Sequence, residues 1–103
     1  MKGFRLSVPA QEDLSGIFNY YFEEAGHRVA RKMAAEFVGA FRTIARSPGI
    51  GHKRQDLAGN RSILFWPMRD YLILYRALRG PVEIVMIARG SRDIARLIRR
   101  RDL

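Results

Sequence analysis

A chain of 103 residues, 48% of them hydrophobic, can bury one core, so the expectation is a single domain over residues 1–103. It has no cysteine, which excludes a disulfide framework and thiol catalysis and fits a reducing cytoplasm. A net charge of +9 favours a polyanionic partner, either nucleic acid or an acidic protein segment.

The charge is unevenly placed: residues 1–24 sum to −2 and residues 25–103 to +11. Met1-Lys2-Gly3-Phe4-Arg5 leads into a strand rather than an apolar h-region, so no signal peptide is expected. No apolar run approaches the ~20 residues of a membrane span, and no membrane partner is expected.

Phe4, Leu6 and Val8 alternate with Arg5 and Ser7, which predicts a half-buried first strand. Pro9 then suits the first turn of a helix, with Glu12 and Asp13 near its positive end. Leu14, Ile17, Phe18, Tyr21 and Phe22 form its apolar stripe, and Gly26 is expected to end it. A second helix starts near His27, with Ala30, Met33, Ala34, Phe37, Phe41, Ile44 and Ala45 on one face. Arg28, Arg31, Lys32, Arg42 and Arg46 lie on the other, and Pro48 stops the helix near Ser47. The short link at Gly26 predicts an antiparallel helical hairpin.

Residues 48–61 read as a loop punctuated by Gly49, Gly51 and Gly59. Ser62–Trp66 predicts a strand and Pro67-Met68-Arg69-Asp70 a turn. Tyr71–Leu78 and Val82–Ala88 are two further strands around a turn at Arg79-Gly80-Pro81. Both carry apolar residues on both faces, as strands covered on two sides or by a partner do. Ser91 is a plausible N-cap for a tail helix over residues 92–100, with Asp93 in its first turn. The order β-α-α-β-β-β-α predicts an α+β domain, a mainly antiparallel sheet packed against the helical hairpin.

Several residues are candidates for function. The loop Gly49-Ile50-Gly51-His52-Lys53-Arg54-Gln55-Asp56-Leu57 sets basic side chains among flexible glycines, a pattern that can contact phosphates. Arg54 can equally hold the loop by pairing with Asp56 or Asp93, and that structural role is the favoured one. The step Ser91-Arg92-Asp93-Ile94 reads first as a helix cap with a salt bridge. Arg96, Arg99, Arg100 and Arg101 are too dense for internal pairing, and the expectation is a solvated tail that meets an anionic partner. The tyrosines, Phe22, Phe65 and Trp66 invite a base-stacking reading, yet their spacing favours the core, with Trp66 the least certain. His27 and His52 are the only histidines and neither has a second ligand near it in sequence, so no metal is expected. No phosphate-loop or dinucleotide fingerprint is present, and no cofactor is expected.

The stretch Pro48-Gly49-Ile50-Gly51…Arg54…Asp56-Leu57, the closely spaced strands and the Arg92-Asp93 step together resemble the ParE branch of the RelE/ParE toxin family. The resemblance covers nearly the whole chain. It implies a small growth-inhibiting toxin of a type II toxin–antitoxin pair, often serving plasmid stabilisation and acting in the cytoplasm. A ParD-like antitoxin would bind it in a hetero-oligomer, with a C-terminal segment filling an apolar groove beside the hairpin and sheet. ParE-type toxins poison DNA gyrase, whereas RelE-type relatives cut messenger RNA on the ribosome.

Cleavage by the 2′-hydroxyl needs a proton acceptor, a proton donor and cations for the phosphorane. Lys53, Arg54, Arg61, Arg76 and Arg89 offer cations. The Tyr or His that RNA-cleaving relatives place after the last strand is missing from Ala88-Arg89-Gly90-Ser91-Arg92, and His52 alone could replace it. The favoured reading is a non-enzymatic gyrase poison, with Trp66 and the arginines at 96 and 99–101 as candidate contacts to antitoxin or target. A ribosome-dependent endoribonuclease is the alternative, and a plain RNA-binding module the third.

Overall fold

The computed structural model describes residues 3–77 and 79–103; the expected end of the third strand at Leu78 lies outside them. Strand β1 (Phe4–Leu6) is shorter than its alternation predicts, because the Ser7 hydroxyl accepts the Ala10 N–H at 3.3 Å and starts a helix there. Val8, expected to close the strand, becomes the first residue of α1 (Val8–Ala25) and is left 66% exposed. Gly26, at φ 91°, ends α1 and starts α2 (His27–Arg46), a sharp reversal that favours glycine. The α2 stripe is buried as expected, with Ala30, Met33, Phe37, Phe41 and Ile44 inside.

The expected loop over 48–61 holds two pieces of local structure, a 3₁₀ turn at Pro48–Ile50 and the short helix α3 (Gln55–Ala58). Strand β2 (Leu64–Met68) runs through Pro67, which had been expected at a turn. It can do so because β2 is an edge strand, where a missing N–H removes no ladder bond if it faces outward. The turn to β3 (Tyr71–Arg76) is therefore Arg69-Asp70 alone. Arg69 sits at φ 54° and donates to both carboxylate oxygens of Glu36 on α2, at 2.8 and 3.0 Å, tying the turn to the hairpin.

Strand β4 (Val82–Arg89) completes a four-stranded sheet in the order β1-β4-β3-β2. The β2–β3 and β3–β4 pairs are antiparallel and β1 is parallel to β4, in agreement with the expected α+β class and mainly antiparallel sheet. A bulge interrupts β4: Tyr75 faces Ile84 while Leu74 faces Met86, so Val85 is an extra residue. Ile84 and Ile87 consequently turn toward the hairpin, and Val85, Met86 and Ala88 turn to the opposite face.

Each face has its own core. The hairpin covers Tyr71, Ile73, Tyr75, Val82, Ile84 and Ile87 with Phe37, Phe41 and Ile44. The far face, for which a partner was one expected cover, is closed by the chain itself. Ala58 of α3 and Ile94 and Ile98 of α4 (Ile94–Arg100) pack there on Phe65, Leu74, Val85 and Met86. Helix α4 begins two residues later than expected, and its cap is Asp93, not Ser91: the Asp93 carboxylate accepts the Arg96 N–H at 3.1 Å.

Candidate functional site

The glycine-marked loop is fixed by one buried side chain. The Tyr75 hydroxyl donates to the Pro48 carbonyl at 2.6 Å and accepts the Gly51 N–H at 2.9 Å. Gly51 is required by this approach, since a Cβ there would lie 2.6 Å from the Tyr75 oxygen. Burial raises the pKa of Tyr75, which suits a hydroxyl that must stay protonated to donate. One residue on, His52 exchanges two backbone hydrogen bonds with Phe65, both at 2.8 Å, along the outer edge of β2. Its exposed ring stacks on Trp66, with centroids 6.3 Å apart and planes 11° from parallel.

Beyond His52, Lys53, Arg54 and Arg61 line a cavity of about 320 Å³ with Gln55, Asn60 and Ser62. Arg54 donates to both oxygens of Asp56 at 3.0 and 2.8 Å, the structural pairing favoured from sequence. These bonds hold the Asp56 carboxyl below its usual range and push the Arg54 guanidinium up. Arg61 donates to the Ala58 carbonyl at 3.1 Å. Arg76 and Arg89 do not join this cluster. Arg76 donates to the Leu103 carbonyl at 3.0 Å and lies 3.8 Å from Glu83. The Arg89 guanidinium lies over the rings of Tyr20 and Tyr71, 5.5 and 5.1 Å from their centroids, in a separate groove. His52 lines neither cavity.

The arginines near the C-terminus divide. Arg96, Arg99 and Arg100 are exposed, as expected. Arg101 corrects the expectation of a wholly unpaired run: it is half-buried, donates to both oxygens of Asp13 and reaches the Val85 carbonyl at 3.2 Å. The sequence offered no signal for this, because Asp13 lies 88 residues away.

The expected core role holds for Phe65, Tyr71 and Tyr75, and fails for Tyr20 and Phe22, which are 48% and 49% exposed. Tyr20 is drawn outward to Arg89, and Phe22 stacks on Phe18 along the outer side of α1. The Tyr71 hydroxyl is pushed up to about 12, by burial first and then by its contact with Tyr21. A tyrosine so shifted is a poorer proton donor at neutral pH. Among the described residues no three His, Cys, Asp or Glu side chains gather as metal ligands, and no helix is long and apolar enough to cross a membrane.

Comparison with known proteins adds three findings. The profile of a family described as the ParE toxin of the type II toxin–antitoxin system parDE matches residues 4–94. A solved chain of the chromosomal ParDE TA system from P. aeruginosa is similar in fold, with a TM-score of 0.72. The superposition covers 86% of this chain and 96% of that one at 18% identity, a level at which the likeness speaks for the fold. No curated protein sequence matches significantly.

Proposed function

Because the chain belongs to the ParE toxin family of type II toxin–antitoxin systems, by a match over residues 4–94, we propose that it arrests growth by binding DNA gyrase without catalysing a reaction. A cognate ParD-like antitoxin would hold it inactive in a hetero-oligomer. The site of action is then the cytoplasm, where gyrase works, and a plasmid-borne copy of such a pair would contribute to plasmid stabilisation.

The observation that carries the non-catalytic reading is the dispersal of the groups an RNase would need. The one candidate acid–base, His52, is stacked on Trp66. Arg76 is tied to Leu103 and Arg89 to two tyrosines in another groove. Proton transfer and phosphorane stabilisation require these groups on one scissile phosphate, and Lys53, Arg54 and Arg61 alone share a cavity. That shared cavity is what favours the second reading, a ribosome-dependent endoribonuclease in which the three cations grip messenger RNA.

The outer surface is consistent with an antitoxin partner. Val8, Tyr20, Phe22 and Val29 are exposed on the hairpin and would offer apolar contacts to such a partner. The function is tested by adding purified protein to gyrase and to translating ribosomes in parallel. The proposal expects lost supercoiling and intact messenger RNA; intact supercoiling with ribosome-dependent cuts would replace it by the second reading.

A further inference from the structure

Helix α2 turns Phe37, Phe41 and Ile44 into the core and leaves its opposite face to solvent. At about 3.6 residues per turn, that face carries Arg28, Arg31, Lys32, Arg42 and Arg46, all of them exposed. None of the five makes an ion pair among the described residues. The only acidic residue of the helix, Glu36, lies to one side of them and is already held by Arg69 at 2.8 and 3.0 Å. Arg28 with Lys32, and Arg42 with Arg46, are like charges one turn apart, a spacing that weakens a helix. The face is therefore not arranged for folding, and its charge is free for an external polyanion.

Along the helix these cations form two groups. Arg28, Arg31 and Lys32 stand near the start, and Arg42 and Arg46 near the end. Between them the same face shows only Ala35 and Gly39, both exposed. A Cβ added at Gly39 would meet nothing within 4 Å, so no neighbouring side chain overhangs this low centre. Lys32 and Arg42, the inner members of the two groups, are about 15 Å apart along the axis, comparable with the ~12 Å width of the major groove of B-DNA. A helix laid across that groove sets one basic group on each phosphate backbone. The narrow major groove of A-form RNA does not match this spacing.

We infer that the outward face of α2 binds double-stranded DNA, with Arg28, Arg31 and Lys32 on one phosphate backbone and Arg42 and Arg46 on the other. Ala35 and Gly39 offer no hydrogen-bonding side chain to a base edge, so the binding is independent of sequence. The inference goes beyond the toxin–antitoxin and gyrase readings and depends on neither.

The test is fluorescence anisotropy of a labelled DNA duplex of about 20 base pairs with the purified full chain, at salt concentrations between roughly 50 and 200 mM. The logarithm of affinity should fall against the logarithm of salt with a slope near −4.5, about −0.9 for each of five phosphates. Arg28→Gln/Lys32→Gln and Arg42→Gln/Arg46→Gln each remove two contacts from one end, and glutamine keeps the helix propensity. Each should bind more weakly at low salt, with a slope near about −2.7. Arg79→Gln/Arg92→Gln removes the same charge from exposed positions outside α2 and should keep the wild-type slope. Melting curves check that all three variants fold. Absence of binding by the wild type at low salt, or an equal loss in all three variants, would overturn the assignment and leave the face as a solvated surface. An RNA duplex of the same length that binds as tightly as DNA would reject the groove geometry. Poly-glutamate that displaces the duplex at equal charge concentration would name an acidic protein segment as the occupant and reject DNA.

Discussion

The Arg101 guanidinium donates to both carboxylate oxygens of Asp13, joining the end of the chain to the first turns of α1 across 88 residues. The same pair meets β4, with Asp13 on the Ile87 N–H and Arg101 on the Val85 carbonyl. Three elements therefore converge on one half-buried ion pair. Arg101→Ser should lower stability by about 1.5–3 kcal/mol, the range for hydrogen bonds to charged groups. Arg99→Ser and Arg100→Ser, on exposed side chains, should each change it by less than about 0.5 kcal/mol. Urea unfolding of the three single variants separates the two classes.

Those exposed arginines should matter in association. A clustered positive field speeds encounter with an anionic partner and is screened by salt. The double variant Arg99→Ser/Arg100→Ser should bind antitoxin or gyrase more slowly at low ionic strength and at an unchanged rate at high salt. Stopped-flow association measures this, and a wild-type rate at low salt would reduce the two residues to solubilising groups.

The Tyr75 hydroxyl and Gly51 give a second stability prediction. Tyr75→Phe leaves the Gly51 N–H and the Pro48 carbonyl without their partner, at a cost of about 1–3 kcal/mol. Gly51→Ala should cost a similar amount, about 1–3 kcal/mol, because its Cβ meets the buried ring. Since the two changes act on one contact, the double variant should lose less than the sum. A double-mutant cycle by chemical denaturation checks the coupling.

How much of this was legible beforehand differs between elements. The α2 stripe repeats at the helical period and the three closely spaced strands are short apolar runs bounded by turn residues, so they could be read directly, and the hairpin followed from the short link at Gly26. Three features depend on contacts distant in sequence and left no local pattern. The Val85 bulge is visible only once β3 and β4 are paired. Gly51 looks like a flexible hinge until Tyr75, 24 residues later, is placed against it. The composition of residues 96–101 suggests a solvated tail, and only the fold returns Arg101 to Asp13. Pro67 was misplaced for another reason: proline is a sound turn signal, but an edge strand tolerates it equally well.

Tyr71 carries a pH prediction. Its folded-state pKa of about 12 lies above the ~10 of an unfolded tyrosine. A raised pKa means that the neutral form is favoured by folding, so this contribution is fully present below pH ~10 and is lost as pH rises through about 12. Absorbance titration should show one tyrosine ionising near the top of that window, and Tyr71→Phe should remove that step and flatten the alkaline loss of stability.

We propose that this ParE-family protein acts by occupying gyrase and not by turning over a substrate. The most direct measurement is gyrase supercoiling against increasing protein, for the wild type and for His52→Ala. Inhibition should grow with the fraction of gyrase bound, saturate near stoichiometric protein, and be the same for both forms. Undiminished supercoiling at every ratio, together with messenger RNA cut on ribosomes by substoichiometric wild-type protein and spared by His52→Ala, would contradict it.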